Sequence, residues 1–188
     1  MNDTRVPELS AGDESAVRSL YHRVLEGWNL RDGAAFAGPF AVDGELIGSD
    51  GTRHVGRSVM AAELGRVFTG RPTPEFVAEV RRVRALGPRV AQLDAVAGLV
   101  PDDAEDLDPA LNALHTVIAV DAGAGWRIAL MQATPARYDE RPDLARALTA
   151  ELRALIGRGP GPGAGRARQG RQRPWSRAAS VRSSGSFG

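Results

Sequence analysis

The sequence predicts an α+β fold in which helices cover one face of a curved, mainly antiparallel sheet. Three observations lead to this fold class: an N-terminal amphipathic helix, a series of strands joined by tight turns, and an extra amphipathic helix near the C-terminus. An antiparallel sheet needs cover on one face only, and a strongly twisted sheet curls. We therefore expect the helices that lie in this curl to leave a funnel.

The strongest strand signal is the stretch 111–135. Two apolar, β-branched runs flank a Gly-rich break at 121–125, which is typical of an antiparallel hairpin. If Val120 opposes Trp126, alternation of side chains gives one face that is apolar near the turn and polar at its far end. That end could be the wall of a ligand pocket or a strand that emerges into solvent. Its candidate ligand-binding residues are Asn112, Thr116 and Gln132.

An amphipathic helix is predicted over residues 13–29. Its apolar side chains recur at the helical spacing i, i+3, i+4, i+7, i+8 and i+11: Val17, Leu20, Tyr21, Val24, Leu25 and Trp28. Core packing is the default role of such a stripe, but Tyr21 and Trp28 are large enough to line a ligand as well. A C-terminal helix with leucines in register is predicted over 141–156.

Shorter elements occupy the chain between these helices. Asp32 can cap a short helix that ends near Phe36, and another helix is predicted over 57–68. Strands are predicted at 42–48, 52–55, 76–86 and 90–99, because turn sequences such as Ser49-Asp50-Gly51 and Gly87-Pro88 separate them.

Composition divides the chain into three parts. We predict a flexible leader at 1–11, a folded domain at 12–156 and a disordered Gly/Pro/Arg-rich tail at 157–188. The tail holds seven Arg and no acid, which leaves 17 Arg and 23 acids in the rest of the chain. Contact with nucleic acid is therefore expected only weakly, through the tail.

Missing residue types exclude several kinds of chemistry. With no Cys and no Lys, the chain has no cysteine nucleophile, no Schiff-base lysine and no P-loop lysine. The three His at 22, 54 and 115 lack metal-ligand spacing, and no Gly-rich turn joins a strand to a helix as a dinucleotide site requires. We expect no metal and no cofactor. The absence of an 18-residue apolar run and of a signal-peptide core predicts a cytoplasmic protein that does not span a membrane.

Several short motifs, in order, resemble those of the NTF2-like superfamily, and within it the SgcJ/EcaC-type, SnoaL-like group. They are the run Gly27-Trp-Asn-Leu-Arg-Asp-Gly-Ala-Ala-Phe, Asp43-Gly44, Ser49-Asp-Gly-Thr, His54-Val-Gly-Arg, Val96-Ala-Gly-Leu-Val-Pro and Gly125-Trp-Arg-Ile-Ala-Leu-Met-Gln-Ala-Thr-Pro. The resemblance extends from about residue 13 to about residue 155. Its motifs together are specific for a fold and subfamily, and much less so for chemistry.

This resemblance implies a cone-shaped α+β fold with a pocket, and commonly a homodimer. Relatives include ketosteroid isomerases, polyketide cyclases, dehydratases, epoxide hydrolases and non-catalytic binding or association domains. Members of the group occur beside bacterial natural-product pathways and are often labelled oxidoreductases. Where relatives are expected to have Gln-Asn-Thr-Pro, this chain has Ala133, which removes one amide.

Acid–base chemistry in such a pocket needs a buried carboxylate or His with a shifted pKa. Asp94, in the middle of a strand, is the leading candidate. The alternative is that Asp94 shares a solvated face with Gln92. His54, at the end of a strand and before a helix, is the candidate base at neutral pH; its alternative is a surface or turn position.

His115 falls outside the pocket in the predicted hairpin register, although a one-residue bulge would reverse this assignment. The outer face is then a candidate seam of a homodimer, formed by Ala113, His115, Val117, Arg127, Ala129 and Met131.

Three functional hypotheses remain open. The first is a cyclase, isomerase or dehydratase that acts on an apolar or polyketide-like metabolite, with Asp94 or His54 moving the proton. The second is a non-catalytic protein that binds a small molecule, which the shortage of charged groups on the predicted inner face favours. The third is a dimeric association module.

Overall fold

The computed structural model describes residues 8–70 and 72–158. Four α-helices, six strands and a 3-10 turn follow one another in this order: α1 (Ala11–Asn29), α2 (Gly33–Ala37), β1 (Phe40–Ile47), β2 (Arg53–Val55), α3 (Arg57–Gly70), β3 (Glu75–Gly87), β4 (Val90–Val100), the 3-10 turn Pro109–Leu111, β5 (Ala113–Asp121), β6 (Trp126–Pro135) and α4 (Pro142–Arg153). The predicted α+β fold class is confirmed. Most of the predicted leader (1–11) and tail (157–188) lies outside the described residues, so the three-part division stays a prediction.

The six strands form one sheet in the order β2-β1-β6-β5-β4-β3. Four of its five strand pairs are antiparallel, and β1 pairs with β6 in parallel. The predicted mainly antiparallel sheet is therefore confirmed. No helix in the described ranges is both long and apolar enough to cross a membrane.

The helix α1 begins two residues earlier than its apolar stripe predicts. Ser10 is the N-cap, and its hydroxyl accepts a hydrogen bond from the backbone N–H of Asp13 at 3.0 Å, which satisfies one orphan donor of the first turn. The Asp13 carboxylate also accepts a hydrogen bond from Trp126 Nε1 at 2.8 Å. This bond ties the start of α1 to the start of β6.

The helices α1, α2 and α3 pack on one face of the sheet, here called the inner face. Five of the six stripe residues of α1 are fully buried there, and Trp28 is half-buried. The helices approach closely: a Cβ at Gly27 would lie 2.3 Å from the backbone nitrogen of Phe36. Burial of these apolar side chains is the main favourable contribution to folding.

The helix α4 packs on the opposite face, here called the outer face. Leu148 and Leu152 are buried against Val96 and Val100 of β4, whose side chains point away from α1. An ion pair between Arg81 and Glu151 fastens the same helix to β3. Both faces of the sheet are thus partly covered by helices, whereas a single covered face was expected.

The β5–β6 register differs from the prediction in two places. Asp121, not Val120, pairs with Trp126, because the Asp121 carboxylate accepts hydrogen bonds from the backbone N–H groups of Gly123 and Gly125 and so closes a shorter loop. A bulge between the Ile118–Leu130 and Ala119–Ile128 pairs then leaves one extra residue on β6. The Asp121–Trp126 pairing places every β5 side chain on the face opposite to the one predicted, and the bulge does the same for β6 from Leu130 onwards.

Candidate functional site

A buried Tyr–His pair lies on the inner face of the sheet. The hydroxyl of Tyr21 (α1) is 2.8 Å from Nδ1 of His115 (β5), and the two rings meet edge to face at 5.9 Å. Burial raises the pKa of the Tyr21 hydroxyl and lowers the pKa of His115 to about 4. Both groups are therefore neutral at pH 7, and each contributes hydrogen bonds rather than charge.

Small and apolar side chains surround the imidazole of His115. Ala95 of β4 and Ala133 of β6 are its direct cross-strand neighbours, and the ring of Phe76 meets it edge to face at 5.5 Å. Ala133 is half-buried, whereas His115 is only 2 % exposed. The Tyr21–His115 pair thus lies one small residue away from the protein surface.

Three half-buried aromatic rings, here called the aromatic rim, continue from Phe76. The ring centroid of Trp28 lies 5.3 Å from that of Phe68 and 5.0 Å from that of Phe76. Trp28 Nε1 donates a hydrogen bond to the carbonyl oxygen of Pro74 at 2.7 Å. Because this bond and the neighbouring rings fix the indole, Trp28 contributes to packing while its remaining surface lines the rim.

The chemistry of the pair depends on which imidazole nitrogen carries the proton. If Tyr21 donates to Nδ1, the Nε2–H of His115 is a donor for another group; if Nδ1–H donates to the Tyr21 oxygen, the hydroxyl hydrogen is the donor. Either tautomer therefore leaves one neutral donor in an apolar interior. Such a donor suits a carbonyl or hydroxyl oxygen on which negative charge develops.

Asp94, the leading catalytic candidate, lies on the outer face and does not face the interior. Its carboxylate pairs with Arg82 at 2.8 Å and accepts a hydrogen bond from Gln92 Nε2 at 2.6 Å. Partial burial raises the pKa of Asp94, but the hydrogen bonds from Arg82 and Gln92 outweigh it, so the pKa is lowered. Asp94 thus has the position that the alternative interpretation gave it, on a face shared with Gln92.

His54, the second catalytic candidate, lies on the edge strand β2. Its Nδ1 pairs with the Glu63 carboxylate of α3, and its side chain is 15 % exposed. The position beside a helix agrees with the expectation from sequence, but the structure does not bring His54 together with Asp94, which belongs to the other side of the sheet.

The three polar residues predicted to hold a ligand oxygen are also separated. Thr116 and Gln132 oppose each other on the outer face, next to Asp94, because the register differs from the prediction. Asn112 precedes β5 and lies under α4, where its Nδ2 donates to Thr149 Oγ1 at 3.0 Å. The predicted polar cluster is therefore not formed.

His115 is the functional candidate that the sequence interpretation placed on the wrong face. Four residues of the predicted dimer seam belong instead to the inner face: Ala113, His115, Val117 and Met131. The seam prediction is wrong for the three β5 residues because Asp121 joins the strand, and wrong for Met131 because of the bulge on β6. The sequence does indicate that a one-residue bulge would move His115 to the inner face. Strand periodicity, however, does not show where a bulge lies.

Surface cavities lie on both sides of the sheet in the described part of the chain, and the Tyr21–His115 pair lines neither of the two given next. One, of about 470 Å³, lies between α1, α2 and β6. The other, of about 730 Å³, lies beside α4. Within residues 8–70 and 72–158, no group of three His, Asp or Glu side chains is arranged to hold a metal ion.

Comparison with known proteins identifies the fold of this chain through solved structures. No family model matches the sequence, and no curated protein matches it. A domain of unknown function with a cystatin-like fold from Nostoc punctiforme is 24 % identical; the match covers 74 % of this chain and 86 % of that domain, with a TM-score of 0.67.

Two further solved structures agree in architecture. An NTF2-like protein of unknown function from Pseudomonas putida is 21 % identical over 67 % of this chain and 88 % of its own, with a TM-score of 0.53. A ketosteroid isomerase-like protein from Erwinia carotovora is 16 % identical over 68 % and 98 %, also with a TM-score of 0.53. The chain described here therefore has the NTF2-like fold.

Proposed function

We propose that this protein binds a neutral, largely apolar small molecule against the inner face of its sheet and acts on it as a cofactor-independent isomerase, cyclase or dehydratase. The observation that carries the proposal is the buried Tyr21–His115 pair, 2.8 Å between hydroxyl and Nδ1, among apolar neighbours. Burying two polar side chains costs free energy unless they are hydrogen-bonded. Their mutual bond meets that requirement and leaves one donor for a ligand.

The proposed ligand passes the aromatic rim and displaces the rings of Phe76 and Trp28 from each other. The side chains of Ala133 and Ala95, the cross-strand neighbours of His115, end at Cβ, so only small groups stand between the imidazole and the approaching ligand. A carbonyl oxygen of the ligand accepts a hydrogen bond from the pair. A solvent water molecule accepts the proton from the α-carbon of the ligand, and the electron pair of the broken C–H bond becomes negative charge on that oxygen. The low dielectric of the interior strengthens the bond from the pair as this charge grows.

Non-catalytic binding is the second candidate function, and one observation favours it. The buried polar residues in the described ranges are Thr73, Asn112, His115 and Thr149, and none of them is an acid. His115, with a pKa lowered to about 4, is also a weak base. The pair is thus better suited to stabilise an oxyanion than to remove a proton.

A matched pair of probes separates the two functions. 2-Naphthol has the shape of the enol of 2-tetralone, so its binding reports on the site, while exchange of the α-hydrogens of 2-tetralone in D₂O reports on proton transfer. We expect 2-naphthol to bind the full chain and Tyr21→Phe to weaken it about tenfold, the scale of one hydrogen bond. Exchange accelerated by the wild type and lost in Tyr21→Phe supports the enzyme.

Thr116→Val is the matched control, because Thr116 follows His115 directly on β5 and points to the outer face. This variant is expected to bind 2-naphthol and to exchange 2-tetralone like the wild type. Binding without exchange supports the second function. A wild type that binds neither probe, or an equal loss in Thr116→Val, contradicts both functions at this site.

We also propose that a second copy of the chain covers the outer face of β5 and β6. Ile118, Val120 and Leu130 are half-buried there, and Leu114 is 37 % exposed. A surface of this kind is costly to leave in water. Light scattering at micromolar concentration is expected to give about twice the chain mass of 19.9 kDa, and a monomer mass contradicts the dimer.

A further inference from the structure

The cavity of about 730 Å³ beside α4 lies on the other side of the sheet from the Tyr21–His115 pair. Its walls come from α4, from the 3-10 turn Pro109–Leu111 and from the chain that follows β6. We call it the α4 groove. No step proposed for the Tyr21–His115 pair uses it, and it is independent of that proposed function.

The floor of the α4 groove is polar and rigid. Asn112 is 3 % exposed and Thr149 is 8 % exposed. Asn112 Nδ2 donates to Thr149 Oγ1 at 3.0 Å, and Thr149 Oγ1 donates to the carbonyl oxygen of Ala145 at 2.8 Å. The backbone oxygen of Asn112 accepts from the N–H of Ala136 at 2.8 Å, which fixes the floor to the end of β6.

The walls of the α4 groove carry more positive than negative charge. Its ionisable lining residues are Arg137, Arg146, Arg153 and Asp139. Arg153 pairs with Asp106 at 2.7 Å, which neutralises its charge. Arg137 and Arg146 are exposed, and neither forms an ion pair with an acid in the part of the chain that the structure describes.

The remaining wall is apolar. Pro109, Ala110, Ala136 and Ala145 face the same space. The groove therefore combines a small apolar wall, an amide and a hydroxyl at the floor, and, among its exposed lining residues, the two arginines and the single acid Asp139. Guanidinium groups bind carboxylate and phosphate oxygens through paired, charge-assisted hydrogen bonds.

We propose that the α4 groove binds a small organic anion, with its carboxylate or phosphate group held by Arg137 and Arg146. The short body of the anion lies on the apolar wall above Asn112 and Thr149. Arg153 is held by Asp106 and supports the wall without contacting the anion.

Binding is tested with the full chain, by calorimetric titration of succinate and of glycerol 3-phosphate at constant ionic strength set with sodium chloride. We expect one of the two to bind with a stoichiometry of one. The better probe identifies the headgroup as carboxylate or as phosphate. Arg137→Ala and Arg146→Ala are each expected to weaken its binding about tenfold.

Arg66→Ala is the matched control, because Arg66 is an exposed arginine of α3 whose side chain is 74 % accessible, on the opposite face of the sheet from the groove. It should leave binding unchanged. The proposal is overturned if neither anion binds at 10 mM, or if Arg66→Ala weakens binding as much as Arg146→Ala. Arg146→Glu provides a second check, and we expect it to abolish binding of the anion. Its thermal unfolding curve should stay that of the wild type, because Arg146 is exposed.

Discussion

Polar side chains on the inner and the outer face of the sheet differ in burial and in charge state. On the inner face, Tyr21 and His115 are fully enclosed, neutral and bonded to each other. On the outer face, Asp94 and Arg82 are charged, partly exposed and paired across strands. The contrast shows that depth of burial selects charge state, because a charged group away from water must lose its charge or find a partner.

The same contrast bears on function. The outer face has Asp94, the carboxylate that a search for acid–base catalysts selects, yet this carboxylate is already paired with Arg82. The inner face has the neutral Tyr21–His115 pair, which leaves one uncharged donor. Sites of the second kind stabilise developing charge more strongly, because less water competes for the bond.

Substitution of Leu93 by Ala tests the inner face with the largest expected effect. Leu93 is fully buried between α1 and the sheet, so removing its side chain leaves a cavity. We expect a loss of about 2–5 kcal/mol in the free energy of unfolding, measured by urea denaturation. A loss below about 1 kcal/mol would mean that the inner face is loosely packed.

Gly27→Ala tests how closely the helices that cover the inner face approach each other. A Cβ at Gly27 would lie 2.3 Å from Phe36 nitrogen, which is backbone and cannot rotate away. We expect a loss of about 1–3 kcal/mol in the free energy of unfolding. The control is Gly65→Ala in α3, where nothing lies within 4 Å of the added Cβ and a small gain is expected. Equal effects at the two glycines would contradict the close α1–α2 contact.

The pH dependence of stability tests the neutral state of His115. Its pKa is about 4 in the folded protein and about 6.5 in the unfolded chain, so the unfolded state binds more protons between these values. The contribution of neutral His115 to the free energy of unfolding is therefore fully present above pH 6.5. It is lost as the pH drops towards 4, with a slope of up to about 1.4 kcal/mol per pH unit. Burial and Arg18 also lower the pKa of His22, which adds a smaller contribution of the same sign.

Denaturation at pH 7.5, 6, 5 and 4.5 measures this loss, and His22→Asn removes the contribution of His22. Asp94 contributes at lower pH, because its pKa is lowered from 3.8 and its stabilising charge is lost only on further acidification. Stability that stays constant from pH 7.5 to 4.5 would show that His115 is charged or exposed in solution.

Asp94→Ala tests the outer face with the smallest expected effect. The carboxylate is partly exposed and Arg82 is 58 % exposed, so loss of the pair leaves a guanidinium that water can solvate. We expect a change below about 1 kcal/mol by urea denaturation. A change as large as that of Leu93→Ala, its neighbour on β4, would remove the distinction between the two faces.

Local periodicity was sufficient to predict the elements. The stripe of α1 follows from the spacing of Val17 through Trp28, because a helix repeats every 3.6 residues whatever surrounds it. The hairpin at 111–135 follows in the same way from two apolar runs around a Gly-rich turn. Periodicity therefore predicted the α+β class, whereas the NTF2-like fold was predicted from the resemblance of short motifs such as Gly125-Trp-Arg-Ile-Ala-Leu-Met.

Tertiary structure decided which face each strand residue occupies. The Asp121 loop and the bulge on β6 shift the pairing, and a shift of one residue moves His115 from solvent to the core and Thr116 from the core to solvent. Side chains alternate every two residues in the predicted and in the observed register alike, so periodicity does not distinguish them. Packing against α1 selects the observed register. The Tyr21–His115 pair, whose members are 94 residues apart, and the placement of α4 on the outer face depend on that selection.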